Sequence, residues 1–286
     1  GYDIIHFIGT YVLNFLVEGR LKRAIIVHSL HESIDRVLDL EPSRLKRILF
    51  GFQFNILRKK GLRLIFHSEN VRKQYLNTFK KDPDQTRVIP FGLFEGYENF
   101  AEDDALIPEF TPYFLFVGYI HPYKGVDLLI SAAQSLRDKK IQIPILIAGK
   151  DATEIEKRYV LPDNIQFINK FLSESEIITL IKKSYAIVLP YTSASQSGIP
   201  NTCFCFDKPV IASDLDGIKD VVHDKVNGLL FESGNVHALE ESMHRLWTDK
   251  KLYKILADNI RKKVNIEWTD WKRIAELTMK YYEKNI

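Results

Sequence analysis

Cysteine is nearly missing from this sequence: 286 residues hold two, Cys203 and Cys205, separated by one position. Cysteines that close frame no secreted disulfide scaffold, and a reducing cytoplasm is the compartment this usage fits. No run of about 18 uncharged apolar residues occurs, so no transmembrane helix is expected. The expected location is the cytoplasm, with the inner face of a membrane as the nearest alternative. An excess of either charge is also missing. The 40 basic side chains stand against 37 acidic ones, a formal +3, which excludes a surface built throughout for nucleic acid. The opening residues, GYDIIHFIGTYVLNF, lack an initiator methionine and the basic, apolar, small-residue order of a signal peptide. They read as the middle of a domain.

What is present is apolar material in a regular order. A hydrophobic content of 45% suffices for two cores in a chain this long. DIIHFI (3–8), AIIV (24–27), LRLIFHS (62–68) and RVIPFG (87–92) are apolar runs separated by helix-length material, with helices expected over 11–21 and 42–60. From 95 to 112 the pattern fails in an acidic stretch with two prolines, the expected linker. It returns as YFLFVG (113–118), IPILIAG (143–149), IQFIN (165–169), AIVLPY (186–191), KPVIASD (208–214) and GLLF (228–231), with helices over 126–139 and 174–184 between them. Strands that read as solid apolar runs are buried on both faces, which predicts a parallel sheet covered by helices. The fold class is α/β, and this half is a doubly wound domain. Three helical patterns follow, over 235–249, 250–263 and 268–285.

In an open parallel sheet, ligands bind beyond the carboxyl ends of the strands, so the loops after each strand carry the chemistry. The first, GYIHPYKG (118–125), has Gly118, where backbone can be approached closely, and Lys124 just ahead of a helix. A lysine there joins the helix dipole in holding a diphosphate; a solvated lysine in a turn is the plainer alternative. The loop TSASQSGIPNT (192–202) gathers hydroxyls and amides around Gly198 and Pro200, suited to sugar hydroxyls and phosphate oxygens, or to an ordinary helix cap. A third, SDLDGIKDVV (213–222), places Asp214, Asp216 and Gly217 ahead of a helix.

The ordered series FVG-x-x-x-x-x-KG, IAGK, VLPY, KPVIASD-x-x-G and NGLLF resembles the C-terminal domain of glycosyltransferase family 4, retaining enzymes of the GT-B fold, over residues 112 to 250. AIIVHS, LIFHSE and VIPFG add weaker family features, and WTDWKRIAELTMKYY looks like the final helix that crosses back onto the first domain. The resemblance implies an incomplete N-terminal Rossmann-like acceptor-side domain (1–105), a nucleotide-sugar-binding domain (106–265) and a crossing helix (266–286). About 80 residues of family-typical material would precede residue 3, and the chain as it stands is expected to bind donor better than it turns it over.

The activity implied is transfer of a sugar from a nucleotide-diphosphate sugar to a glycan or lipid-linked acceptor with retention, without a cofactor or catalytic metal. Lys124 becomes the diphosphate lysine and Gly118 the close-approach glycine. Lys170 and Phe171 fall where the family's backbone holds the nucleobase. His28 would face the donor sugar, with His31 and Glu32 as the alternative actors. The chain departs from the family at Tyr119, which stands where an arginine is usual, and at Ala194 and Thr202, which stand where two glutamates are usual. Ser195, Gln196, Ser197 and Gly198 match a branch with a Q-S-G donor loop instead, which puts Gln196 and Ser197 on the donor and leaves Thr202 one hydroxyl for the ribose. The basic stretch 44–63 mixes arginine and lysine with leucine, isoleucine and phenylalanine, and is read either as a peripheral membrane contact or as a helix with a solvated charged face. A binding protein without turnover and a GT-B sugar-nucleotide epimerase are the competing functions.

Overall fold

The computed structural model of the chain describes residues 4–8, 25–30, 63–80, 82–90, 92, 96, 104–194, 197–262 and 271–284, with the backbone alone for 4–8 and 25–30. The expected helices over 11–21 and 42–60, His31, Glu32, Ser195, Gln196 and all of the basic stretch except Arg63 lie outside the described residues. Gly1–Gly92 with Trp268–Ile286 form one unit, and Leu93–Glu267 form the other.

The first unit is a parallel sheet in the order β1 (Ile4–Ile8), β2 (Ile25–Leu30), β3 (Arg63–Phe66), β4 (Thr86–Val88). Alternation along β3 decides what covers it. Leu64 and Phe66 pack with Val71 and Tyr75 of the helix Glu69–Phe79, while Ile65 packs with Ile89 and with Ile274, Leu277 and Tyr281 of the helix Trp271–Glu283. The first of these helices starts because the Ser68 hydroxyl accepts from the Val71 amide at 3.2 Å. The second is fixed at its far end, where the buried Tyr281 hydroxyl donates to the Gln85 carbonyl at 2.8 Å.

Among the described residues the second unit holds six parallel strands: β5 (Phe114–Val117), β6 (Ile145–Ala148), β7 (Ile165–Ile168), β8 (Ala186–Leu189), β9 (Val210–Ser213) and β10 (Gly228–Phe231). Their spatial order is β10-β9-β8-β5-β6-β7. β5, β6, β8 and β9 are buried at every residue, as solid apolar runs require. Prolines mark where strands start. Pro144 and Pro209 stand just outside β6 and β9, lending carbonyls to Phe114 and Ile187 but having no N–H to give. The helices Val126–Asp138 and Val236–Thr248 meet through buried Glu240, whose carboxylate accepts from the Ser135 hydroxyl at 2.7 Å and pairs with Lys139. The chain runs outward from β5 in one direction and from β8 in the other, so the order reverses between these two neighbours. That reversal positions the candidate site.

Candidate functional site

Three strand ends meet at the reversal at backbone contact distance. Gly118 follows β5 with φ +125°, Gly149 follows β6 with φ +153°, and Gly125 closes the first loop with φ +64°, all conformations that favour glycine. A Cβ on Gly149 would sit 1.9 Å from the Gly118 carbonyl oxygen, and one on Gly125 would sit 1.8 Å from that of Pro190, just beyond β8. A Cβ on Gly118 would meet nothing within 4 Å. The backbone there faces open space, as close approach by a ligand requires.

Between Gly118 and Gly125 lies the short turn Pro122–Lys124, and the helix Val126–Asp138 begins directly after Gly125. The Thr192 amide donates to the Tyr123 carbonyl at 2.8 Å, and the Ser233 hydroxyl donates to the Tyr191 carbonyl at 3.1 Å. Loops after β5, β8 and β10 are thereby joined. The Lys124 ammonium lies 3.8 Å from the centroid of the Tyr191 ring, a cation–π contact that holds the charge at the reversal.

An aromatic row extends from this lysine along the carboxyl edge. Tyr123 meets Tyr191 edge-on at 6.5 Å, His121 stacks with Tyr123 at 5.8 Å, and Tyr119 meets His121 at 4.5 Å. Tyr119 and Phe171 then lie parallel within 6° at 6.0 Å. Phe171 is 74% exposed and Tyr119 45% exposed, so the row ends in open apolar rings. Lys170 is committed elsewhere: its ammonium pairs with Glu176 at 2.6 Å. That hydrogen bond, ahead of one from the Ser173 amide, holds the Glu176 carboxyl below the usual carboxylate range. Lys170 thus anchors the helix Glu174–Lys183, and Phe171 is the member of the pair presented to solvent.

The loop after β8 holds less open chain than its composition predicts. The helix Ile199–Phe204 occupies its second half, with Gly198 at its N-cap and Pro200 in its first turn, where proline is tolerated. Ser197 is buried, and Thr202 is buried with its hydroxyl donating to the Gly198 carbonyl at 3.4 Å. In the first unit, His28 sits in β2 between Phe7 and Leu64. Among the described residues no group of three or more His, Cys, Asp or Glu is placed to hold a metal ion, and no helix is long and apolar enough to cross a membrane.

Sequence reasoning passed over several residues that shape this edge. His121 and Tyr123 alternate with Tyr119 in a single loop, but Tyr191 reaches them from beyond β8, which no local spacing announces. Asp151 had a signal, an Asx turn with Thr153 two positions on. Burial pushes its carboxyl up, but hydrogen bonds from Ile155 and Thr153 and the charge of Arg158 outweigh that and hold it below its usual range. Asp214 and Asp216, one residue apart after β9, have separate duties: the Asp214 amide donates to Phe231, and the Asp216 carboxylate pairs with Lys219 at 3.3 Å.

Two α/β units with parallel sheets, one carrying a glycine-lined reversal point that fixes a lysine ahead of a helix, define the class of open α/β proteins whose ligands bind at such a reversal. The chain belongs to the family of glycosyl transferases group 1, whose model matches residues 98–263. It is 32% identical over 147 residues to the uncharacterized glycosyltransferase MJ1178 of Methanocaldococcus jannaschii, covering 51% of this chain and 41% of the relative. It is 25% identical to MJ1069 of the same organism, covering 99% and 75%. It is 28% identical to the O-antigen chain mannosyltransferase C of Escherichia coli, covering 65% and 51%. The chain therefore spans about half the length of the first and third of these relatives. Among solved structures, HepE of Anabaena in complex with UDP-glucose matches with a TM-score of 0.71 at 17% identity, over 99% of this chain and 78% of HepE. The shared fold is GT-B, two Rossmann-like doubly wound α/β units, as the family resemblance implies.

Proposed function

We propose that this chain is a hexosyltransferase-type glycosyltransferase that binds a nucleotide-diphosphate sugar at the carboxyl edge of its second sheet. It transfers the sugar, with retention at the anomeric carbon, to a glycan or lipid-linked acceptor in polysaccharide or glycoconjugate synthesis. The observation that carries this reading is Lys124, fixed by Tyr191 and by two positive-φ glycines at the strand reversal. The names of relatives point the same way, one to O-antigen chains, and a structural neighbour holds UDP-glucose.

Transfer breaks the bond from the anomeric carbon to the phosphate oxygen and forms one to an acceptor hydroxyl oxygen, whose proton passes to the leaving diphosphate or, through it, to solvent. Negative charge gathers on the leaving diphosphate. Lys124 and the N-terminus of the helix Val126–Asp138 oppose that charge without a catalytic metal or cofactor. Gly118 lets the donor lie against the backbone, Ser195, Gln196, Ser197 and Gly198 supply donor contacts in the manner of the Q-S-G branch, and Thr202 acts through Gly198, to whose carbonyl its hydroxyl donates. Phe171 lies against the base. Lys170, held by Glu176, positions Phe171. Acceptor-dependent release of free nucleoside diphosphate from a sugar nucleotide, lost in Lys124→Ala, is the expected result. Release of an epimerised sugar, or no release with any acceptor, would replace this reading with an epimerase or a binding protein.

A further inference from the structure

Away from the donor edge, the first unit has a cavity of about 290 Å³ at the amino end of its sheet, beside Pro83 and Thr86 where β4 begins. Among the described residues four cations line it. Arg72 comes from the helix after β3, Arg87 from β4, and Lys280 and Lys284 from the end of the last helix; Asp84 is the one carboxylate among the described lining residues. Arg72 is built in, donating from Nε to the Thr86 hydroxyl at 2.8 Å, from Nη1 to Glu69 at 3.0 Å and from Nη2 to the Pro83 carbonyl at 3.3 Å. The neutral polar groups are committed as well. Thr86 donates to Pro83 at 2.8 Å, and the Tyr281 hydroxyl donates to Gln85.

Arg87, Lys280 and Lys284 make no ion pair among the described residues, whereas Arg137, Arg158 and Arg261 each hold an aspartate at 2.6 to 2.9 Å. Like charges facing one small cavity repel, and among the described residues Asp84 in the lining and Glu69 beside Arg72 are two carboxylates set against four cations, which offsets that repulsion in part. The carbonyls at the end of the last helix account for the two lysines in part. They do not account for Arg87, on a neighbouring strand. The positive field also reaches the cavity wall: burial pushes the Tyr281 hydroxyl up to about 12, against the pull of Arg63, Arg72 and Arg87.

We propose that this cavity is an anion site for the phosphate group of a small molecule or lipid headgroup. Guanidinium and ammonium donors from three elements match an oxyanion with several acceptor oxygens, and the volume lies at the lower end for small-molecule sites. The site is independent of donor binding. The test uses the full chain, with inorganic phosphate followed by phosphorus NMR, and co-sedimentation with phosphatidylcholine vesicles with or without phosphatidylglycerol. The variant Lys280→Ala/Lys284→Ala is compared with Lys251→Ala/Lys254→Ala, exposed lysines of the other unit. All four positions are solvent-facing, and unchanged melting temperatures verify folding. The expected result is binding that weakens about fivefold per pocket lysine and is unmoved by the control pair. Such loss for phosphate alone identifies a soluble ligand, and such loss for phosphatidylglycerol vesicles, with phosphate competing, identifies a headgroup. If neither probe binds, or if the pocket pair loses no more than the control pair, the proposal is overturned.

Discussion

Lys124 is held over the Tyr191 ring in the turn that Gly125 closes, and its neighbours separate its role in binding from its role in stability. Lys124→Ala is expected to weaken sugar-nucleotide binding by about 1.5 to 3 kcal/mol, the range for hydrogen bonds to a charged group. It removes a cation–π contact worth about 1 kcal/mol or less from the fold, so thermal unfolding should change little while calorimetric titration changes much. The glycines divide in the opposite sense. Gly125→Ala drives a Cβ into the Pro190 carbonyl and should cost about 2 kcal/mol or more in urea unfolding. Gly118→Ala bears the strain of its φ alone and should cost less stability, while its methyl group enters the space left for ligand. Equal losses at the two positions would contradict the open approach at Gly118. Of these residues, Gly118 and Lys124 are legible from motif spacing. The contact of Gly149 with Gly118 and the stack of Tyr119 on Phe171 are not, because each joins chain segments that only the sheet order brings together.

Among elements, the solid apolar strands are the most readable, because burial on both faces leaves no polar break to confuse the period. Helices with few apolar positions are harder. Glu69–Phe79 buries Val71 and Tyr75 among charged neighbours, and its clearest signal was the cap at Ser68. Ile199–Phe204 hid in a loop rich in turn residues. The helix Glu174–Lys183 carries a full capping box, in which the Ser173 hydroxyl accepts from the Glu176 amide and the Glu176 carboxylate accepts from the Ser173 amide. Ser173→Ala is expected to cost about 1 kcal/mol, read from chemical denaturation. Glu176 also sets a pH response. Its folded-state value lies below the ordinary 4.5, so its contribution is present above 4.5 and is lost as the pH falls through the depressed value. Glu240 and Asp151 are depressed too and act in the same direction. Stability should therefore decline on acidification below about 4.5, and Glu176→Gln should flatten the decline; an unchanged slope would remove Glu176 from the account.

At the scale of the molecule, the last helix belongs to the first unit although the whole of the second separates them in sequence. Its contacts with Ile65 and Ile89 make Leu277→Ala a cavity mutation, expected to cost about 2 to 4 kcal/mol. Hydrogen exchange should report that loss at β3 and β4, leaving the amides of β5 and β8 protected; uniform loss across both sheets would contradict it. Aromatic and aliphatic spacing in the tail made a packed helix legible, and the resemblance supplied its destination. The boundary was less legible: an acidic, proline-bearing stretch marks 95–112, while the compact units part at Gly92. The proposed transfer depends above all on a donor site at the carboxyl edge of the second sheet. Its most direct test is calorimetric titration of uridine, guanosine, adenosine, cytidine and thymidine diphosphate sugars into the wild-type chain and Lys124→Ala. Saturable binding of at least one donor, weakened in the variant by about 1.5 to 3 kcal/mol, is the predicted result. Binding of none, or equal binding by both proteins, would contradict it.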